Sequence, residues 1–235
     1  MTRRVKSIMV LALTVALSFA WPRSGAAQEG QGFGRCVPAS DRARPGDVGC
    51  FIVAESRVGR LGPLPAYWHV TRFGSRGAAE WAARTARGAS VFDAFGATWL
   101  LAIGPERWRP AAGLHLAAIG PLPVEDSVSY AALYMEARME PGMKSSVHRH
   151  SGPETWYTLS GETCLETPNG TTVGRSDGES VIIPAGLPME LTATGTTTRR
   201  SLVLILHDVA QAATTMVHEW TPSGKCASTP SGGTR

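Results

Sequence analysis

Two histidines, His148 and His150, stand two residues apart, and Glu154 follows four residues later. Gly142 precedes the group and Gly161 closes it. Residues two apart on a strand point to the same face, so the two imidazoles can be aimed at one point. A short turn through Ser151-Gly152-Pro153 can then bring the Glu154 carboxylate beside them. Two neutral nitrogens and one carboxylate oxygen suit a divalent transition metal (iron, manganese, zinc, nickel or copper) and leave coordination positions open for substrate or water. Glu154 is therefore a candidate both for ligation and for catalysis.

The elements that must position these groups are strands. From Val128 onward the chain reads as short strands over Val128–Met139, Ser146–His150, Glu154–Leu159, Glu162–Glu166, Thr171–Gly174, Ser180–Ile183, Met189–Ala193 and Ser201–His207. The breaks between them are rich in Gly, Pro, Asn and Asp, and Asn169-Gly170 is a strong hairpin signal. Short strands with such punctuation predict a jelly roll or closed β-barrel. Upstream, Phe51–Glu55, Ala66–Phe73, Ser90–Phe95, Ala97–Ile103 and Leu114–Ile119 read as strands, and Ser75–Arg87 reads as a helix capped by Ser75. The fold class expected is mainly β, with a smaller N-terminal α+β region before a C-terminal barrel. The expected divisions are a leader over 1–27, the α+β region over 28–124, the barrel over 125–210 and a tail over 211–235.

The leader has a basic start (Arg3, Arg4, Lys6), an apolar run from Ile8 to Trp21 and small residues at Gly25-Ala26-Ala27. It predicts a signal peptide cleaved near Ala27, and a periplasmic or extracellular protein with no stable membrane span after cleavage. The whole chain has 23 Lys and Arg against 19 Asp and Glu. Four of those bases and no acid lie in residues 1–27, so the remainder is formally neutral. No basic patch argues for a nucleic acid or an anionic membrane as partner. Four cysteines in an exported chain suggest disulfides, with three pairings open. Proximity favours Cys36–Cys50 and then Cys164–Cys226.

The pattern resembles the cupin superfamily. Its first motif is Gly, five residues, His-x-His, three or four residues, Glu, six residues, Gly, and Gly142, His148, His150, Glu154 and Gly161 fill every position. In the second motif Gly178, Pro184 and Gly186 fit, but Met189 stands at the histidine position and Thr192 at the asparagine position. The likeness extends over roughly Val128–Asp208 and implies a small jelly-roll barrel with a metal held inside one end by His148, His150 and Glu154. The chain as a whole is similar to exported bacterial proteins with one C-terminal cupin domain, a likeness that carries no activity. Because a thioether replaces the third imidazole, three outcomes stay open. The three remaining ligands hold the metal, or Met189 ligates and favours copper, or the pocket takes an organic ligand without metal.

Around that centre, Met189 is expected as a pocket wall and Trp156, on the face of Glu154, as a pocket or core residue. Tyr134 and Glu136 share one face of the preceding strand. If that face is interior, Tyr134 is a candidate acid or hydrogen-bond donor to substrate and Glu136 a partner for an imidazole. If it is exterior, Leu133, Met135 and Met139 line the inside instead. His69 and His115 read as structural, and His207 as a strand-end histidine. Two functions are consistent with this pattern. One is a metal-dependent enzyme acting on a small organic molecule, dioxygenase-like or isomerase-like. The other is a non-catalytic module that binds a small ligand or a metal. The N-terminal region is expected to cap the barrel or to form a homodimer interface.

Overall fold

The computed structural model describes residues 36–226 except Pro45 and Asp177. The expected signal peptide lies outside the described residues. In chain order the strands are β1 (Val37–Pro38), β2 (Gly49–Gly59), β3 (Tyr67–Phe73), β4 (Arg87–Ala94), β5 (Ala97–Gly104), β6 (Leu114–Ile119), β7 (Tyr130–Met139), β8 (His148–His150), β9 (Glu154–Ser160), β10 (Glu162–Thr167), β11 (Gly170–Gly174), β12 (Ile182–Ile183), β13 (Glu190–Thr194), β14 (Arg199–Asp208) and β15 (Thr214–Met216). One helix, α1 (Arg76–Ala83), follows β3. Ser75 caps it, its hydroxyl accepting from the Ala78 N–H, an interaction of about 1 kcal/mol. The helix ends earlier than expected because residues from Arg87 onward are recruited into β4, which pairs with β5.

A six-stranded sheet in the order β1-β2-β7-β14-β9-β12 forms the middle of the molecule. On one side lies a four-stranded sheet, β4-β5-β3-β6. On the other lie β11-β10-β13 and the pair β15-β8. Together the C-terminal sheets make a jelly-roll-like sandwich. The middle sheet is buried on both faces, which explains the unbroken apolar run Leu202-Val203-Leu204-Ile205-Leu206 in β14. Leu202, Leu204 and Leu206 pack with Trp68, Val70, Trp99 and Leu101 of the N-terminal sheet. Val203 and Ile205 pack on the opposite face with Met135, Trp156, Ile183 and Met189.

Two expectations are corrected here. The division between 28–124 and 125–210 does not follow the sheets, since β2 pairs antiparallel with β7 along its whole length. The N-terminal sheet covers the outer face of the sandwich, through the side chains just named. The segment after residue 210 is also more than a tail, because β15 pairs with β8. Both expected disulfides are present, Cys36–Cys50 and Cys164–Cys226. The second ties the segment carrying β15 back to β10.

A candidate metal centre between the sheets

β8 carries His148 and His150 on one face, as strand alternation requires. It is held from both sides, by backbone bonds between His148 and Met189 and by the pairing of His150 with Thr214. The Gly186 N–H donates to the His150 carbonyl at 2.8 Å, which gives this turn glycine a direct part in placing the ligand strand. The chain then turns through Gly152, where a Cβ would run into the carbonyl oxygen of Leu206. Only glycine permits that approach, so it seats the turn against β14. Glu154 opens β9 opposite Ile205.

The ligand atoms of His148, His150 and Glu154 all lie within 4.8 Å of one another. His150 and Glu154 are buried, and His148 keeps partial exposure. The His148 Nδ1 is 2.7 Å from the Ser146 carbonyl, and the His150 Nδ1 is 2.8 Å from that of Ala213. A carbonyl oxygen only accepts, so each Nδ1 carries the proton and each Nε2 keeps its lone pair. That is the tautomer a metal ligand needs. His150 Nε2 and Glu154 Oε2 lie 3.2 Å apart, and each is otherwise a buried polar atom without a partner. Buried orphans of this kind are unfavourable unless something else engages them, and this donor set fits a divalent transition ion.

Charge in the cluster follows the same logic. Burial pushes His148 below the ordinary histidine value, and Glu154 offsets this only in part. Burial is the largest single influence on His150 and acts against its charged form, but the Glu154 carboxylate and the Ala213 carbonyl together outweigh it, and the net shift is upward. For Glu154, burial raises the pKa, while His150, His148 and Arg199 more than compensate and hold it as a carboxylate.

The cavity beside these groups is small, about 60 Å³, and is walled by Met135, Leu191, Val203 and Ile205. The Cys36–Cys50 disulfide and Thr214 also border it. Of the other expected site residues, Trp156 and Met189 stand behind the wall, in the apolar cluster that includes Met135 and Leu191. Met189 is opposite His148 but is not a lining residue.

The proposed roles of Tyr134 and Glu136 are overturned. The even-numbered face of β7 is exterior to the sandwich, so Met135, Ala137 and Met139 line the cavity instead. The Tyr134 hydroxyl is spent on the Gly88 carbonyl, inside the core shared with the N-terminal sheet. Glu136 pairs with Arg42. It borders a larger recess, about 930 Å³, with Arg42, Arg72, Arg138 and Arg200. That recess contains no cluster of metal-ligating side chains among the described residues. His207 turns toward Glu55, 3.8 Å away, and is not part of the cluster.

Sequence reasoning missed Arg199. It lines the cavity with the three candidate ligands, and only 2% of it is exposed. The available signal was its parity with Val203 and Ile205 along β14, which face the same way.

Residues 135–205 match the family model described as a cupin domain, so this segment is a domain of the cupin kind. Among curated proteins no sequence matches. Similar solved structures include an Acidithiobacillus ferrooxidans protein described as a candidate sugar phosphate isomerase. It is 26% identical over 31% of this chain and 48% of its own, with a TM-score of 0.28. This chain thus spans just under half the length of that relative. A cupin domain from Bordetella pertussis is 22% identical over 36% of this chain and 88% of its own, with a TM-score of 0.29. A Thermotoga maritima protein described as a predicted oxalate decarboxylase is 24% identical over 32% and 65%, with a TM-score of 0.30.

Proposed function

We propose that this cupin domain holds a divalent transition metal through Nε2 of His148, Nε2 of His150 and the Glu154 carboxylate, and that it acts there on a small organic molecule. One observation carries the reading. Both Nδ1 atoms are engaged by backbone carbonyls, while the buried His150 Nε2 and Glu154 Oε2 face each other at 3.2 Å beside His148 with no further partner. When bound, the metal would supply Lewis-acid or dioxygen chemistry at positions the protein leaves open. The protein's own part is to fix both tautomers, keep Glu154 ionised and surround the ligand with the apolar walls of the cavity. An exported setting accords with the two disulfides. No helix among the described residues is long and apolar enough to cross a membrane.

Met189 at the position of a third imidazole favours a second reading, a cupin that captures a metal or small ligand without turnover. Metal analysis of the full chain with disulfides formed separates the outcomes. Near-stoichiometric iron, manganese, nickel, copper or zinc that disappears in His148→Ala/His150→Ala supports the centre. Equal binding by the wild type and the double variant refutes it. With metal in place, exchangeable water on the ion supports chemistry, and a closed coordination sphere supports capture.

A further inference from the structure

The groups lining the cavity include a buried charge that is not one of the proposed metal ligands. Arg199 opens β14 opposite Met139 and is almost fully buried. Its Nε donates to the Thr163 hydroxyl. One terminal nitrogen reaches only the Met139 thioether, at 3.4 Å. The guanidinium carbon lies 5.5 Å from the centre of the Trp156 ring. Among the described residues no carboxylate pairs with it, although Glu154 lies near enough to favour its charge. Burial pulls its pKa down to about 10, so it remains a cation. A hydroxyl, a thioether and a ring face are weak compensation for a desolvated ion, and arginine is rarely so buried without a counter-charge. The placement is also enforced by the backbone. Gly161, at φ +72°, sits where a Cβ would be 2.7 Å from the Arg199 Cα.

We infer that Arg199 is the anchor for the carboxylate of a small organic acid, which enters the cavity with its other end toward His148, His150 and Glu154. The inference rests on the proposed metal centre for the second half of that statement and on Arg199 alone for the first. A carboxylate is the matching class because the planar guanidinium presents parallel N–H donors to two oxygens at once. The size agrees. A cavity of about 60 Å³ has room for roughly four to six water-sized groups, which suits an acid of two or three carbons. The walls formed by Met135, Leu191, Val203 and Ile205 give its middle no polar partner, so an aliphatic link fits there.

The test uses the full chain with both disulfides formed, wild type beside Arg199→Lys and Arg199→Met. Acetate is the probe and acetamide its neutral counterpart. In the metal-free wild type, acetate should raise the melting temperature, whereas acetamide and chloride at matched ionic strength should not. In Co²⁺-loaded protein, acetate should shift the visible bands of the ion. Its affinity should fall roughly 10- to 100-fold in Arg199→Met, with Arg199→Lys between, as expected for loss of a charge-assisted forked bond. Arg199→Lys keeps the charge and guards against a Met variant that fails to fold. Equal response to acetate and acetamide in the wild type, or acetate affinities within about twofold in wild type and Arg199→Lys while Arg199→Met also binds alike, overturns the inference. If Co²⁺ does not load in the wild type, the metal reading fails, and the metal-free comparison still decides the role of Arg199.

Discussion

The molecule contains two histidine pairs, and they differ in what their nitrogens are left to do. In the N-terminal sheet, His69 Nδ1 meets His115 Nε2 at 3.1 Å, and His69 Nε2 meets the Pro105 carbonyl at 3.0 Å. The carbonyl accepts, so His69 carries its proton on Nε2 and takes the His115 N–H on Nδ1. Both nitrogens of His69 are satisfied, and its ring packs edge-on to Trp108. In the sandwich, the rings of His148 and His150 are 4.9 Å apart, close to the 5.4 Å of the first pair. There only the Nδ1 atoms have backbone partners, and a carboxylate joins the Nε2 side. Proximity of two imidazoles is thus not what marks a site. Unspent lone pairs converging on a carboxylate are.

The largest expected effect breaks the comparison at its metal end. His148→Ala/His150→Ala should abolish stoichiometric metal loading, a loss of about a thousandfold or more in affinity, since two of three ligands go. His69→Gln should load as the wild type does. Metal content after dialysis against a weak chelator reads both. Loss of metal in the His69 variant would mean that the N-terminal pair also supports the centre.

The second effect concerns the satisfied pair. Burial, the largest influence, holds His69 at a pKa of about 4, against an ordinary value of 6.5. Between those values the unfolded chain binds a proton that the folded chain excludes. The stability owed to the neutral ring is therefore complete above pH 6.5 and is lost as the pH falls through 4. The loss should reach roughly 1–2 kcal/mol, allowing for solvent screening. Denaturant titrations at intervals between pH 4 and 7 should show it, and the slope should flatten in His69→Gln. An unchanged slope would assign the acid sensitivity elsewhere.

The third sharpens the difference between the two faces of β7. Tyr134→Phe removes the donor to the Gly88 carbonyl in the outer core, so stability should fall by about 1–2 kcal/mol with metal affinity unchanged. A drop in metal affinity with no change in stability would return Tyr134 to the site.

What the chain made legible follows from which signals are local. The spacing of His148, His150 and Glu154 survives because alternation on β8 and one glycine turn fix their relation. Ser75 as a cap and Leu114–Ile119 as a strand were legible for the same reason. The inward face of β7 was not. Its sequence, Tyr-Ala-Ala-Leu-Tyr-Met-Glu-Ala, places apolar groups on both sides, and only the sheet packed against it decides which side is outer. That two-sided burial was itself written in Leu202–Leu206, where no polar residue interrupts the run. Arg199 was hidden because it precedes another arginine, Arg200, which is exposed, and a basic pair at a strand start reads as solvent-facing. β15 is three residues, too short to carry a periodic signal.

That short strand sets the smallest effect. The His150 Nδ1 proton has two acceptors on the segment, the Ala213 carbonyl at 2.8 Å and the Thr214 hydroxyl at 3.1 Å. The nearer carbonyl carries most of the bond, and backbone pairing of Thr214 with His150 holds it there. Thr214→Val keeps the shape, the strand and the carbonyl but removes the hydroxyl. Partners of ligating histidines are commonly worth 10- to 100-fold in metal affinity when lost outright. Losing the weaker of two should therefore cost less, roughly two- to fivefold, read by competition with a metal-sensitive dye. A loss near a hundredfold would make the hydroxyl the main orienting group for His150. An affinity equal to wild type would leave the Ala213 carbonyl as sufficient to orient His150.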